Sequence, residues 1–251
     1  MRSRWWVCSD SGMLFEPIGL DVVARGERVP TLLFVPRDAP PNLSLVVFGH
    51  GANLSKNDPI MQMIVKGLAR AIPAAVAIAD FPAHGERVPE GTTQEQRANG
   101  VQAAMSDAAI YDQITDEWRS VVAAARVHAS GRVGYIGFSM GSVYGLARAG
   151  QVAEFNAFAF VVGGLVVEDG PPNVGRNGVV RAGISALGAR EVLMCNMTGD
   201  ETFPIASALD AFALVPGPKR MHVFEGGHAD VPPEAVESAV TFFQRTLAPR
   251  A

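Results

Sequence analysis

The chain has 251 residues, of which 48% are hydrophobic and 18% charged, and its formal net charge is −4. These proportions are ordinary for a globular protein, and no run of Lys or Arg indicates nucleic acid or an anionic membrane as a partner. The two cysteines, Cys8 and Cys195, form neither a disulfide framework nor a metal-ligand pattern. No segment has 18 uninterrupted apolar residues, and residues 1–15 lack the apolar stretch of a secretory signal, so we predict a cytoplasmic protein without a membrane span.

Strands and helices are predicted to alternate along the chain. Residues 20–24 and 30–35 favour an antiparallel hairpin, because a glycine-containing turn joins two partly alternating apolar runs. Continuous apolar runs, typical of parallel strands covered on both faces, predict strands at 43–48, 74–79, 132–138, 157–162, 191–197 and 220–224.

Apolar spacing predicts five helices, at 58–71, 108–128, 142–149, 205–212 and 233–247. In the first helix the predicted core face holds Ile60, Met63, Ile64, Leu68 and Ala71, and Gly131 is predicted to end the second. Residues 88–99 read as a loop with a short helix, and residues 163–187 as an irregular insertion rich in Gly and Pro, a candidate minimal cap.

This alternation predicts an α/β fold, with a mostly parallel central sheet flanked by helices in a single domain over residues 1–251. In such sheets the ligand site lies beyond the carboxyl ends of the strands. His50, His84, Ser139, Asp200 and His228 all follow predicted strand ends, so we expect them at one edge of the sheet.

Ser139 lies in Gly137-Phe138-Ser139-Met140-Gly141, between a predicted strand and a predicted helix. The strand–turn–helix setting is that of a nucleophile elbow, where a sharp turn needs glycine on both sides of the serine. A serine hydroxyl becomes a nucleophile when a histidine takes its proton and a carboxylate holds that histidine in one tautomer.

His228 is the predicted base because it follows the last strand in a glycine-flanked loop, whereas His128 and His222 lie in a helix end and a strand. Asp200, after Thr198-Gly199, is the predicted orienting acid; Glu201, Asp169 and Glu225 are weaker rivals.

Two backbone N–H groups should stabilise the oxyanion that forms on the substrate. Met140, directly after the nucleophile, is predicted to supply one. The other is expected from the loop Gly49-His50-Gly51-Ala52-Asn53, through Ala52, with Asn53 as the rival. We expect His50 to brace this loop by hydrogen bonds.

With its motifs in the order Ser139, Asp200, His228, the chain resembles the serine α/β-hydrolases over nearly all its length. Residues 80–87, Asp-Phe-Pro-Ala-His-Gly-Glu-Arg, are similar to a stretch of the esterase and dienelactone-hydrolase-like branch. The resemblance implies the α/β-hydrolase fold and places His84 and Arg87 near the pocket rim, where we assign them, with His50, to loop support. Dienelactone hydrolases use a cysteine nucleophile, and lipases have a triple-glycine oxyanion loop; this chain has Ser139 and Gly51-Ala52-Asn53.

We therefore predict a serine esterase acting on small to medium carboxylic esters or lactones, without a metal or organic cofactor. Asn53, Phe138 and Phe203 are the predicted substrate-binding residues, and a short insertion disfavours long-chain lipids. The alternatives are amide, thioester or carbon–carbon bond hydrolysis on the same three residues, a slow-turnover ligand receptor, and a non-catalytic protein of the same fold.

Overall fold

The structure is a computed structural model that describes residues 17–248, except residues 38, 41, 73 and 166–174 and the side chains of 175 and 176. Cys8, Asp169 and the predictions made for residues 1–15 lie outside the described residues. Among the helices of this described part, none has the length and apolar character needed to cross a membrane.

The described strands form an eight-stranded sheet and a small two-stranded ribbon. In chain order the strands are β1 (Pro17–Leu20), β2 (Val23–Ala24), β3 (Glu27–Arg28), β4 (Thr31–Phe34), β5 (Ser44–Gly49), β6 (Ala74–Ala79), β7 (Val133–Phe138), β8 (Phe155–Val161), β9 (Glu191–Met197) and β10 (Lys219–Phe224). The sheet order is β1-β4-β6-β5-β7-β8-β9-β10, and β2 pairs with β3. From β6 to β10 every pairing is parallel, while β4 runs antiparallel to both β1 and β6.

Helices cover both faces of this sheet. Their bounds are α1 (Pro59–Ala71), α2 (Gln94–Ser106), α3 (Ala108–Ala125), α4 (Met140–Arg148), α5 (Gly175–Ile184), α6 (Ile205–Leu214) and α7 (Pro233–Thr246). One apolar cluster packs α1 and α7 against one face, and a second packs residues of α2 to α6 against the other. Because β5 to β9 are covered on both faces, their sequences are continuous apolar runs.

Most predicted elements are confirmed within one to three residues, and Cys195 is a buried free thiol. The face of α3 that packs against the sheet is apolar and buried, and it carries Ile114, Trp118, Val121, Val122 and Ala125. The predicted hairpin is more divided than expected: β1 pairs with β4, while β2 and β3 form a separate ribbon around the turn at Arg25-Gly26.

The predicted core face of α1 is partly wrong. Ile60 and Met63 are 50% and 43% exposed, and the buried side chains include Met61, Val65 and Leu68. Apolar residues occupy more than half of this helix's circumference, so spacing alone does not decide which stripe faces the sheet. Packing on β6 buries the stripe around Ile64 and Val65, while Ile60 and Met63 lie beside that stripe and remain exposed.

Three other expectations need correction. Residues 88–99 hold the start of the thirteen-residue α2, and residues 163–187 include the ten-residue α5. Gly183 lets α5 approach α4, because an added Cβ would overlap the Ala147 carbonyl; close packing thus outweighs the low helix propensity of glycine. Gly131 does not end α3, which stops at Ala125; its N–H donates to the Leu43 carbonyl, and an added Cβ would lie 2.5 Å from the Asn42 carbonyl oxygen.

Candidate active site

Ser139 lies on a strained turn between β7 and α4. Its backbone has φ 52° and ψ −114°, a conformation that L-residues rarely adopt. The turn is tight: a Cβ added to Gly137 would lie 2.5 Å from the carbonyl carbon of Gly141, and one added to Gly141 would overlap the Gly49 carbonyl. The two glycines therefore allow the helix to start directly over the strand, which places the Ser139 side chain at the carboxyl edge of the sheet.

His228 and Asp200 approach Ser139 from the loops after β10 and β9. Ser139 Oγ is 2.8 Å from His228 Nε2, and His228 Nδ1 is 3.0 and 2.9 Å from the two Asp200 carboxylate oxygens. Because a carboxylate accepts, Nδ1 carries the proton and Nε2 offers its lone pair to the serine hydroxyl. This tautomer is the one in which a histidine can remove the serine proton.

The Asp200 carboxylate is completely buried, and the backbone holds it in place. Its Oδ1 accepts from the N–H groups of Thr202 and Phe203, each at 2.8 Å. The ring of Phe203 packs against His228 with centroids 5.5 Å apart. Of the rival acids, Glu201 approaches only the His228 backbone N–H, at 3.5 Å. The orientation of the imidazole is thus set by one carboxylate.

The loop after β5 lies against the turn at Ser139. The Gly141 N–H donates to the His50 carbonyl at 3.1 Å, and a Cβ added to Gly51 would lie 3.6 Å from the Ser139 Cβ. Met140 is the first residue of α4, so its N–H has no acceptor within the helix. Ala52 follows Gly51 on the adjacent loop. The two predicted oxyanion donors thus belong to neighbouring backbone segments beside the serine.

His50 is fully buried beneath this loop. Its Nδ1 donates to the Gly51 carbonyl at 2.8 Å, and its Nε2 accepts from the Phe81 N–H at 3.1 Å. Burial is the main cause that lowers its pKa from 6.5 to about 4, so the ring is neutral at pH 7. A neutral ring can donate on one side and accept on the other, as this arrangement requires.

His84 and Arg87 lie on the segment after β6. His84 Nδ1 donates to the Pro82 carbonyl at 2.8 Å, and its ring centroid is 5.0 Å from that of His50. Burial lowers the pKa of His84 as well. Arg87 pairs with Glu117 at 2.8 Å and donates to the Asp80 carbonyl at 3.3 Å. Both side chains are inside the fold, and neither contacts the three hydrogen-bonded residues.

Two of the three predicted substrate-binding residues offer almost no surface to a ligand. Phe138 is 5% exposed and stacks on Phe48, and Phe203 is 1% exposed beneath His228. Phe138 and Phe203 are therefore core residues and not substrate-binding residues, because both rings pack inside the fold. Asn53 is exposed and has a φ of 60°.

A cavity of about 410 Å³ opens beside the oxyanion loop, lined by residues 53–55, residues 83–85 and the face of α2 that carries Arg97, Ala98 and Val101. A larger cleft of about 630 Å³ lies between β10 and α7 and includes none of Ser139, Asp200 and His228. His222 lines that cleft, and its Nδ1 is 2.9 Å from the Ser238 hydroxyl. Ser139, Asp200 and His228 do not line the smaller cavity either, but it shares Asn53 with the loop that carries the predicted oxyanion donor.

Sequence reasoning missed a buried ion pair next to the oxyanion loop. Lys56 Nζ lies 3.0 Å from Asp80 Oδ2, and both side chains are almost fully buried. Asp80 was visible in the sequence as the start of the 80–87 motif, but nothing near Lys56 marked it. In the part of the chain that the structure describes, no group of three or more His, Cys, Asp or Glu side chains is arranged to hold a metal ion.

No protein-family model matches the chain, and a search of the curated proteins finds no match. Solved structures do match it over nearly their full length. A cold-adapted esterase from an Arctic intertidal metagenomic library has a TM-score of 0.71 at 21% identity, over 96% of this chain and 99% of that one. A dienelactone hydrolase from Anabaena variabilis has a TM-score of 0.63 at 16% identity, over 93% of this chain and 97% of that one. A predicted CIB-like hydrolase from Thermoplasma acidophilum has a TM-score of 0.64 at 18% identity, over 93% of this chain and 100% of that one. The chain therefore has the α/β-hydrolase fold, which confirms the predicted fold class.

Proposed function

We propose that this protein is a serine hydrolase that cleaves small to medium carboxylic esters or lactones through an acyl-enzyme intermediate. One observation carries the proposal: Ser139 Oγ, the His228 ring and the Asp200 carboxylate form a continuous hydrogen-bonded chain with contacts of 2.8 to 3.0 Å. Nucleophile, base and orienting acid are each within reach of the next.

In the first half-reaction, His228 Nε2 accepts the hydroxyl proton as Ser139 Oγ attacks the ester carbonyl carbon. Asp200 stabilises the imidazolium that forms. The carbonyl oxygen gains negative charge, and the N–H groups of Met140 and Ala52 donate to it. When the tetrahedral intermediate collapses, the bond to the alcohol oxygen breaks and His228 transfers its proton to that oxygen. For a lactone, the released hydroxyl stays attached to the acyl chain.

In the second half-reaction, water takes the place of the alcohol. His228 removes a proton from this water as its oxygen attacks the acyl carbon, and the same N–H groups stabilise the new oxyanion. Collapse breaks the bond to Ser139 Oγ, which regains its proton from His228, and the carboxylic acid leaves. No group beyond these side chains and water is needed to balance either half-reaction.

The substrate class rests on the cavity and on the names of similar structures. The cavity of about 410 Å³ is lined by Asn53 of the oxyanion loop and not by Ser139, and its volume is that of a site for a small to medium ligand. Of the solved structures with this fold, one is called an esterase and another a dienelactone hydrolase. These names favour an ester or lactone over an amide.

The test is a pre-steady-state assay with p-nitrophenyl acetate, butyrate and octanoate. We expect a burst followed by steady turnover, strongest for the two shorter chains, and a decrease of kcat by about 10⁶-fold in Ser139→Ala. Ser185→Ala is the matched control, because that serine is exposed and its hydroxyl donates to the Ala182 carbonyl. Full activity in Ser139→Ala would disprove the proposal.

Two other results would change the reaction class. A burst without turnover would indicate a receptor that is acylated once and released slowly. Absence of both, in a protein that still reacts with a fluorophosphonate at Ser139, would direct the search to amides, thioesters and carbon–carbon substrates. Absence of fluorophosphonate labelling would indicate a non-catalytic member of the fold.

A further inference from the structure

Lys56 and Asp80 form an ion pair in the interior, beside the candidate site. Lys56 is 2% exposed and Asp80 is 0% exposed. The Lys56 ammonium lies 3.0 Å from Asp80 Oδ2 and also pairs closely with Glu86. The Asp80 carboxylate further accepts from two backbone N–H groups, that of Lys56 at 2.8 Å and that of Glu86 at 3.0 Å. Every charge in this pair thus has specific partners.

The chain folds closely around this carboxylate. Gly85 has a φ of 53°, and an added Cβ there would overlap all three atoms of the Asp80 carboxylate group. A glycine is therefore required where the segment after β6 turns over Asp80. The carboxylate joins two loops that are 24 residues apart in sequence, the one after β5 and the one after β6.

The oxyanion loop has few bonds of its own. Between His50 and Lys56 its internal backbone bond is a long one, from the Leu54 N–H to the Gly51 carbonyl at 3.4 Å, and Asn53 has a φ of 60°. Both ends are instead held by the segment after β6: the Phe81 N–H donates to His50, and Asp80 binds Lys56. Ala52 lies between these two points of attachment, two residues after His50 and four before Lys56.

A buried ion pair of this kind contributes little net stability, because removing two charges from water offsets most of their attraction. It does select one arrangement, since any shift of the loop would leave a buried charge without its partner. A 1 Å displacement of a catalytic group can slow a reaction about 100-fold. Loss of the ion pair should therefore change the reaction rate, through the position of the loop, more than it changes the free energy of unfolding.

We infer that Lys56 and Asp80 are positioning residues that hold the Ala52 N–H in the oxyanion site and thereby set the rate of acylation. This inference rests on the proposed serine hydrolase function for its kinetic consequence. The hydrogen bonds and ion pairs of Lys56 and Asp80 do not reach Ser139, Asp200 or His228, so the pair acts on the reaction through the loop between His50 and Lys56.

The experiment compares Lys56→Met, Asp80→Asn and the double variant with wild type. Lys56→Met leaves the buried Asp80 charge with backbone N–H partners alone, and Asp80→Asn leaves the Lys56 ammonium paired with Glu86 alone, so either single change can unfold the protein. The double variant leaves no unpaired buried charge, and its amide oxygen can still accept from one of the two backbone N–H groups, so it keeps the inference testable. Arg190→Met is the matched control, because Arg190 also donates to buried groups but lies before β9, at the opposite end of the sheet.

We expect the acylation rate in the double variant to fall about 100-fold, while the KM for p-nitrophenyl butyrate changes less than threefold. The inhibition constant of butylboronic acid, whose tetrahedral adduct occupies the oxyanion site, should rise in parallel with the lost rate. Arg190→Met should keep both values. Wild-type acylation and boronate inhibition in a folded double variant would overturn the inference.

A second measurement does not depend on esterase activity. Hydrogen exchange of the peptide covering residues 51–56 should be at least tenfold faster in the double variant, with β7 and α4 unchanged. Unaltered exchange would overturn the inference even if the protein proves to be a receptor. Faster exchange in the double variant, together with no Ser139-dependent turnover in the wild-type protein, would support the positioning role and refute only the proposed function.

Discussion

The two ends of the parallel sheet differ in how their backbone is held. At the carboxyl ends of β5 to β8, the segments that follow contain Asn53, Ala83, Ser139 and Val162, all non-glycine residues with positive φ between 46° and 62°. Apart from these, the only non-glycine residue of the described chain with positive φ is Arg25, in the turn of the two-stranded ribbon.

At the amino ends, side chains satisfy backbone groups without such strain. Arg190 donates to five carbonyl oxygens, those of Gly150, Val152, Phe155, Ala186 and Leu187. Arg126 donates to the carbonyls of Ser130 and Gly131, at 3.1 and 2.7 Å. The carboxyl end of the sheet therefore holds strained backbone conformations at the candidate site. At the amino end, arginine side chains satisfy backbone carbonyls and stabilise the fold.

The largest effect should come from the carboxyl end. In Asp200→Asn the side-chain oxygen can still accept from Thr202 and Phe203, but the amide then presents N–H to His228 Nδ1 and favours the wrong tautomer. We expect kcat for p-nitrophenyl butyrate to fall about 10⁴-fold with little change in the free energy of unfolding. Steady-state kinetics and urea unfolding test this, and a decrease of less than tenfold would contradict it.

Arg190→Met should have the opposite profile. Removing the guanidinium leaves several carbonyls at the amino end without a donor, so the free energy of unfolding should fall by about 3 kcal/mol. Because Ser139 lies at the other end of β7, kcat of the folded variant should equal that of wild type. The contrast between the two ends would fail if kcat fell tenfold at a temperature where the variant is fully folded.

His50 should make the carboxyl end sensitive to acid. An unfolded imidazole binds a proton near pH 6.5, whereas burial lowers the pKa of His50 in the folded protein to about 4. Between these values the unfolded state binds more protons, so stability falls as the pH decreases, by up to about 3 kcal/mol in total. Urea unfolding from pH 7 to pH 4 should show a smaller loss in His50→Asn. Equal losses in the two proteins would contradict this account.

The smallest effect should come from relieving strain. Ala83 has a φ of 62°, which costs an alanine about 1–2 kcal/mol, while glycine adds about 0.5–1 kcal/mol of unfolded-state entropy. Ala83→Gly should therefore raise the free energy of unfolding by about 0.5 kcal/mol. Ala98→Gly, in the exposed part of α2, should lower it by about 1 kcal/mol. The opposite signs are the result to check; a loss in both variants would argue against strain at Ala83.

Local patterns predicted most of the strands and helices and an α/β fold with a mostly parallel sheet, and the resemblance carried by the motifs at Ser139, Asp200 and His228 implied the α/β-hydrolase fold. Continuous apolar runs identify strands buried on both faces. The glycines around Ser139 indicate the sharp turn of a strand–helix junction. The same reasoning selected His228 and Asp200, because the carboxyl ends of parallel strands share one edge of the sheet. Their roles in catalysis stay predictions, while their hydrogen-bonded arrangement is a feature of the structure.

Other features depend on which elements become neighbours. The exposure of Ile60 and Met63, the helix at 175–184 and the burial of Phe138 and Phe203 all follow from packing that no short segment encodes. The pairing of Lys56 with Asp80 arises because β5 and β6 lie side by side, which brings their following loops together. Periodicity and turn chemistry act within about one helical turn of a residue, so they can be read from the chain. The partner of a buried charge or ring is chosen across the sheet, and only the assembled fold brings it within contact.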